Sequence, residues 1–74
     1  MAVQIVMDRT GDTRHEFDQA DSKAVTRAEE RFRELIGKGF RAVALGRDGN
    51  PGKLLRKFDP QVEQTLFIPQ LQGG

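Results

Sequence analysis

One long stretch of the chain carries helical periodicity, and it limits the fold more than any other feature. Val25, Ala28, Phe32, Leu35 and Ile36 fall at i, i+3, i+7, i+10 and i+11, which puts them on one apolar stripe. Arg27, Glu29, Glu30, Arg33, Glu34 and Lys38 carry the other face. Glu29→Arg33 and Glu34→Lys38 are i,i+4 pairs in the favourable direction. Asp18-Gln19-Ala20-Asp21 supplies start chemistry, because either aspartate can accept from free backbone N–H groups and both suit the positive end of the dipole. Gly37 and Gly39 stop the helix, which is expected to run to about Ile36. A helix with a single apolar stripe has to be covered along that stripe. The rest of the chain reads as strands, so the cover is a sheet.

Residues 2–7 read as a first strand, with Val3, Ile5 and Met7 alternating with Ala2, Gln4 and Val6. Asp8-Arg9-Thr10-Gly11-Asp12 is rich in turn formers, and Thr13 to Phe17 completes a hairpin. After the helix, residues 40–45 form a third strand, 46–52 a turn-rich loop and 53–58 a short fourth strand. Asp59-Pro60 reads as an N-cap followed by proline, which predicts a helical turn over 60–64. Thr65-Leu66-Phe67-Ile68 is a compact apolar strand, expected to be buried on both sides or to lie in the middle of the sheet, and to end near Pro69, which has no N–H to donate. Gln70 to Gly74 follow as an extended tail. The first and last strands can pair in parallel at the centre, since the helix and the strands between them provide the long crossover. The expected fold is α+β, one helix packed on a four- to five-stranded mixed sheet. The expected core is Val3, Ile5, Phe17, Val25, Ala28, Phe32, Leu35, Ile36, Val43, Leu45, Leu55, Phe58, Leu66 and Ile68. On the third and fourth strands a one-residue slip would invert the inward set.

Composition narrows the function. Seventy-four residues hold one domain with a marginal core. At 36% hydrophobic and 31% charged residues the chain is globular rather than disordered. Twelve basic and eleven acidic residues leave a net charge of +1, without the basic excess of a non-specific nucleic-acid binder, so no nucleic-acid partner is expected. No apolar run approaches the ~20 residues that cross a bilayer, and residues 1–7 lack a signal peptide's basic region and cleavage site. No membrane association is expected. The absence of cysteine removes disulfides, zinc-thiolate sites and a thiol nucleophile, and fits a cytoplasmic location. A serine hydrolase would have to be built from His15 and Ser22 alone, without walls for a pocket of ~300 Å³, so an enzyme is not expected.

The end of the chain, Leu71-Gln72-Gly73-Gly74, carries the most specific signal. Two glycines remove every side chain beside the terminal carboxylate, so the tail can lie extended in a narrow channel at whatever backbone angles the channel imposes. The carboxylate is then unhindered for activation. Element order, length and this tail resemble ubiquitin and the ubiquitin-like sulfur carriers, which share the β-grasp fold. Phe67, Pro69, Gly73 and Gly74 look like the aromatic-x-proline…Gly-Gly ending of the molybdopterin-synthase small subunit. Leu71, Gly73 and Gly74 look like ubiquitin's leucine-bearing tail. Gln72 stands where ubiquitin has arginine, and Val62-Glu63-Gln64-Thr65 lacks the Gly-Asp pair common in sulfur carriers.

The resemblance implies a β-grasp domain over residues 1–72 with a flexible di-glycine end at 73–74. It implies that the Gly74 carboxylate, beside Gly73, is adenylated by an E1-like activating enzyme, with Leu71, Gln72, Phe67 and Pro69 recognised along the tail. The chain is substrate and carrier and needs no cofactor of its own; ATP and magnesium belong to the activating partner. An E2-like enzyme, a processing protease and target proteins are the other implied partners, and a monomer is expected. Three readings follow: a protein modifier joined to a target, a sulfur carrier bearing a C-terminal thiocarboxylate, or a β-grasp interaction domain without tail chemistry.

Other features read more simply. Arg41, Arg47, Lys53, Arg56 and Lys57 are expected on a solvated edge that blocks strand-to-strand aggregation, with a docking patch for an acidic partner or nucleic acid as the alternative. Gly46-Arg47-Asp48-Gly49 follows a strand and reads as a turn, and Gly37-Lys38-Gly39 as a helix stop rather than a phosphate loop. His15 with Asp12, Glu16 and Asp18 makes a poor metal site, because adjacent strand residues point to opposite faces. Leu71 and one of Leu54 or Leu55 are candidates for exposure on the sheet face away from the helix.

Overall fold

The computed structural model describes residues 1–46, 48 and 51–70. Asp21 sets the start of the helix: its Oδ1 accepts from the backbone N–H groups of Lys23 and Ala24 at 3.0 and 3.4 Å. The helix, α1 (Ser22–Gly37), ends where Lys38 donates its N–H back to the carbonyls of Glu34 and Leu35. Gly39, at φ +98°, then turns the chain into the next strand.

Five strands form one sheet: β1 (Ala2–Asp8), β2 (Gly11–Phe17), β3 (Phe40–Leu45), β4 (Pro51–Leu55) and β5 (Gln64–Pro69), in the order β2-β1-β5-β3-β4. β1 and β2 are a tight hairpin closed at Asp8 and Gly11, where Asp8 Oδ1 accepts from the Thr10 N–H (2.8 Å) and hydroxyl (2.6 Å). β1 and β5 run parallel at the centre, and the other pairs are antiparallel. The protein is thus α+β, a five-stranded mixed sheet on one helix, and the arrangement is compatible with a β-grasp.

The core differs from expectation in strand parity. On β1, Ala2, Gln4 and Val6 share the helix-facing side, and the expected Val3 and Ile5 line the other. Ile5 is nevertheless buried, on the open face. On β5 the inward pair is Thr65 and Phe67, not Leu66 and Ile68; on β3 it is Ala42, not Val43 and Leu45. Ile36 and Ile68 are 38% and 41% exposed, which removes both from the core. The reason is fit. Ala2, Ala28 and Ala42 are fully buried between the layers, so the helix sits close to the sheet there, and Phe17, Phe32 and Phe67 fill the space between. Phe58 joins them from the loop, its ring centroid 6.2 Å from Phe17 and 6.0 Å from Phe32.

Two loop assignments also change. β4 spans Pro51–Leu55 instead of 53–58, and the chain bends at Arg56 and Lys57 so that Phe58 can reach those two rings. The helical turn expected over 60–64 is only a turn: Val62 donates to the Asp59 carbonyl (3.2 Å) and Gln61 to Asp59 Oδ1 (2.9 Å), after which β5 begins. The Glu63 carbonyl already accepts from the Val3 N–H of β1 (2.8 Å), so the parallel ladder captures the chain before a second helical turn can form.

Candidate functional site

The candidate site is the end of β5 and the sheet face beside it. β5 is central, hydrogen-bonded to β1 on one side and β3 on the other, and it carries the chain toward its C-terminus. Period-two alternation divides it: Thr65 and Phe67 face the helix, while Leu66 and Ile68 face away. Pro69 lies opposite Phe40 at the end of the ladder. Beyond it the Gln70 N–H donates to the Gly39 carbonyl at 3.0 Å. The glycine that turns the chain from the helix into β3 therefore also holds Gln70, where the tail begins.

Of the residues expected to matter, Phe67 and Pro69 are described. Phe67 is fully buried, with its ring 5.7 Å from Phe32 in an edge-to-face contact. It belongs to the core and offers no surface to a partner. Pro69 is exposed. Leu71, Gln72, Gly73 and Gly74 lie outside the described residues.

Pro69 and Gln70 border a groove of about 410 Å³ with Arg41, Val43, Leu54 and Ile68. Leu54 is 49% exposed. It stands opposite Val43 in the β3–β4 register, and Val43 stands opposite Leu66 in the β3–β5 register, so the aliphatic side chains run across three strands. The open face is thus apolar at the point where the chain leaves the sheet. Of the two leucines considered for exposure, Leu54 faces outward and Leu55 packs inward.

No group of three His, Cys, Asp or Glu side chains among the described residues could hold a metal ion. His15 sits on β2 opposite Gln4, and Ser22 opens α1 with its carbonyl accepting from the Thr26 hydroxyl at 2.9 Å. No hydrogen bond joins His15 to Ser22 among the described residues. Partial burial, with the nearby Arg31 charge, lowers the His15 pKa below its ordinary value. No helix among the described residues is long and apolar enough to cross a membrane.

One polar arrangement lies beyond the expected set. Gln4, 1% exposed, donates from Nε2 to the Ala28 carbonyl (2.9 Å) and accepts at Oε1 from Arg31 Nη1 (2.9 Å). It staples β1 to the helix. Its sequence signal is a polar residue in the middle of the apolar run Val3-Gln4-Ile5-Val6.

Compared with family models, curated proteins and solved structures, the chain gives no match in any of the three.

Proposed function

We propose that the protein is a ubiquitin-like modifier whose Gly74 carboxylate is activated and joined to a target. One juxtaposition carries the reading. A central strand, hydrogen-bonded on both sides, leads in sequence out of a small α+β domain into Leu71-Gln72-Gly73-Gly74. Such a domain suits a carrier: a rigid body for recognition and an unhindered acyl group for chemistry.

In this reading a carboxylate oxygen of Gly74 attacks the α-phosphorus of ATP held by an E1-like enzyme, and pyrophosphate leaves. An enzyme thiolate then attacks the acyl carbon and AMP leaves. A target amine finally attacks the thioester, loses its proton and releases the thiol. The groove of Arg41, Val43, Leu54 and Ile68 lies where a partner gripping the tail would meet the domain.

The Phe67-Ile68-Pro69 sequence favours a second reading, the sulfur carrier, in which a sulfide nucleophile attacks the acyl carbon of the adenylate, AMP leaves and a thiocarboxylate results. One experiment separates the two. An N-terminally tagged chain is expressed in its native host, recovered under denaturing conditions and weighed intact beside a variant lacking Gly74. Higher-mass adducts that vanish with Gly74 are the expected result. A free chain with one oxygen replaced by sulfur would assign the carrier instead. Unmodified mass in both, with the activating machinery expressed, would overturn both and leave an interaction domain.

A further inference from the structure

Charge is unevenly distributed along this chain. From Lys38 to Lys57 there are six cations (Lys38, Arg41, Arg47, Lys53, Arg56 and Lys57) and one carboxylate, Asp48. The remainder has six cations against ten carboxylates, so the near-neutral total hides a positive β3–β4 side. Arg41, Lys53, Arg56 and Lys57 are exposed, and among the described residues none is in an ion pair; the two pairs there are Arg14–Asp12 and Arg33–Glu29.

The same side ends in a strand with one neighbour. β4 pairs with β3 alone, so alternate N–H and C=O groups of its outer edge are open. Leu54 of that strand forms one wall of the aliphatic groove with Val43 and Ile68. The opposite edge strand, β2, is different. It carries Asp12 and Glu16 as well as Arg14, Asp12 already pairs with Arg14 at 3.6 Å, and no large exposed hydrophobic lies on it.

We propose that the outer edge of β4 binds an extended acidic segment of a partner protein, added as a sixth strand, with aliphatic side chains against Leu54 and carboxylates against Lys53, Arg56 and Lys57. Clustered cations make a second copy of this edge repel the first. The same charges attract a strand of opposite sign and steer its approach. Exposed Leu54 gives that strand an apolar contact to register on, at alternate positions. This surface shares Leu54 with the groove beside the tail but needs no activation of Gly74, so loss of peptide binding and loss of Gly74-dependent adducts are separate outcomes.

The test uses the isotope-labelled full chain and a blocked synthetic peptide of alternating valine and glutamate, about eight residues long to span an edge strand. A valine–lysine peptide is the control. The expected result is amide shifts confined to 52–57, methyl shifts at Leu54, Val43 and Ile68, slowed exchange of outward β4 amides, and binding that weakens with added salt. Combining Arg56→Glu with Lys57→Glu, or making Leu54→Asp alone, should weaken binding about tenfold or more, while Arg14→Glu on β2 should not weaken it. All of these positions are exposed, so the variants retain the fold, which the amide spectrum verifies. Equal binding of the lysine peptide, shifts centred on β2 or α1, indifference to Leu54→Asp, or no shift at millimolar peptide would each overturn the proposal. So would sedimentation showing a dimer that Leu54→Asp dissolves, which would give the edge to a second copy.

Discussion

Gln4 shows how one side chain can decide the orientation of a strand. A buried amide needs partners, and the helix supplies both: the Ala28 carbonyl and the Arg31 guanidinium. With Gln4 turned to the open face, Val3 and Ile5 would face the helix and those partners would be lost. Gln4→Ala should therefore leave Arg31 without its acceptor and open a cavity. The expected loss is about 2–4 kcal/mol, read as a lowered urea midpoint, from the lost hydrogen bonds and packing together. Gln4→Met fills the space without the polar atoms and should cost less; equal losses in the two variants would refute the account. His15, opposite Gln4 in the β1–β2 register, should make stability depend on pH. Its folded pKa lies below the ordinary 6.5, so the folded protein holds fewer protons than the unfolded chain in the interval between the two values. Stability is then fully present above 6.5 and falls as pH drops through 6.5 toward the folded value. Thermal unfolding measured from pH 7.5 to 5 should show this fall, and His15→Gln should flatten it. An unchanged slope would place the effect elsewhere.

At the scale of the element, the helix was the most legible part of the sequence and strand parity the least. The Ala28, Phe32 and Leu35 stripe and the Asp21 cap follow from spacing and side-chain chemistry, and the structure has both. β1, β3 and β5 are apolar on both faces, so alternation identifies the strands without saying which face meets the helix. The choice rests on volume: alanines where the layers approach, phenylalanines where they part. Volume matching across two layers is a pairwise property that no single segment displays. The turn after the helix was legible because Gly39 takes φ +98°, a conformation costly for a side chain. A Cβ there would meet nothing within 4 Å, so the cost of Gly39→Ala is conformational rather than steric. It should be about 1–2 kcal/mol by chemical denaturation. Gly39→Asn should cost less, because asparagine visits positive φ more readily. A penalty equal for the two would point to the Gln70–Gly39 hydrogen bond instead of the φ angle.

Across the whole molecule, stability and the proposed chemistry are carried by different parts of the chain. Of the candidate site, Pro69 and one exposed leucine of the pair Leu54 and Leu55 were legible in the sequence, while Leu71 to Gly74, which it also singled out, lie outside the described residues. The groove itself was not legible, because Val43, Leu54 and Ile68 come from three strands whose order and parity only the assembled sheet sets. Among the described residues, the last fully buried side chain is Phe67 and the last backbone hydrogen bond is that of Gln70. Among the described residues, the two core clusters draw on Ala2 to Phe67. Deleting Gly73 and Gly74 should therefore leave the urea midpoint and the denaturant slope unchanged, since the slope follows the surface exposed on unfolding. Trimming the chain further, to remove Gln70 as well, should lower the midpoint by the loss of its bond to Gly39, about 0.5–1.5 kcal/mol. A lowered midpoint in the shorter deletion would mean that the glycines contribute to the fold. The adduct experiment on the Gly74 variant would then report unfolding as well as chemistry. An unchanged midpoint makes any loss of adducts in that variant a statement about the carboxylate alone.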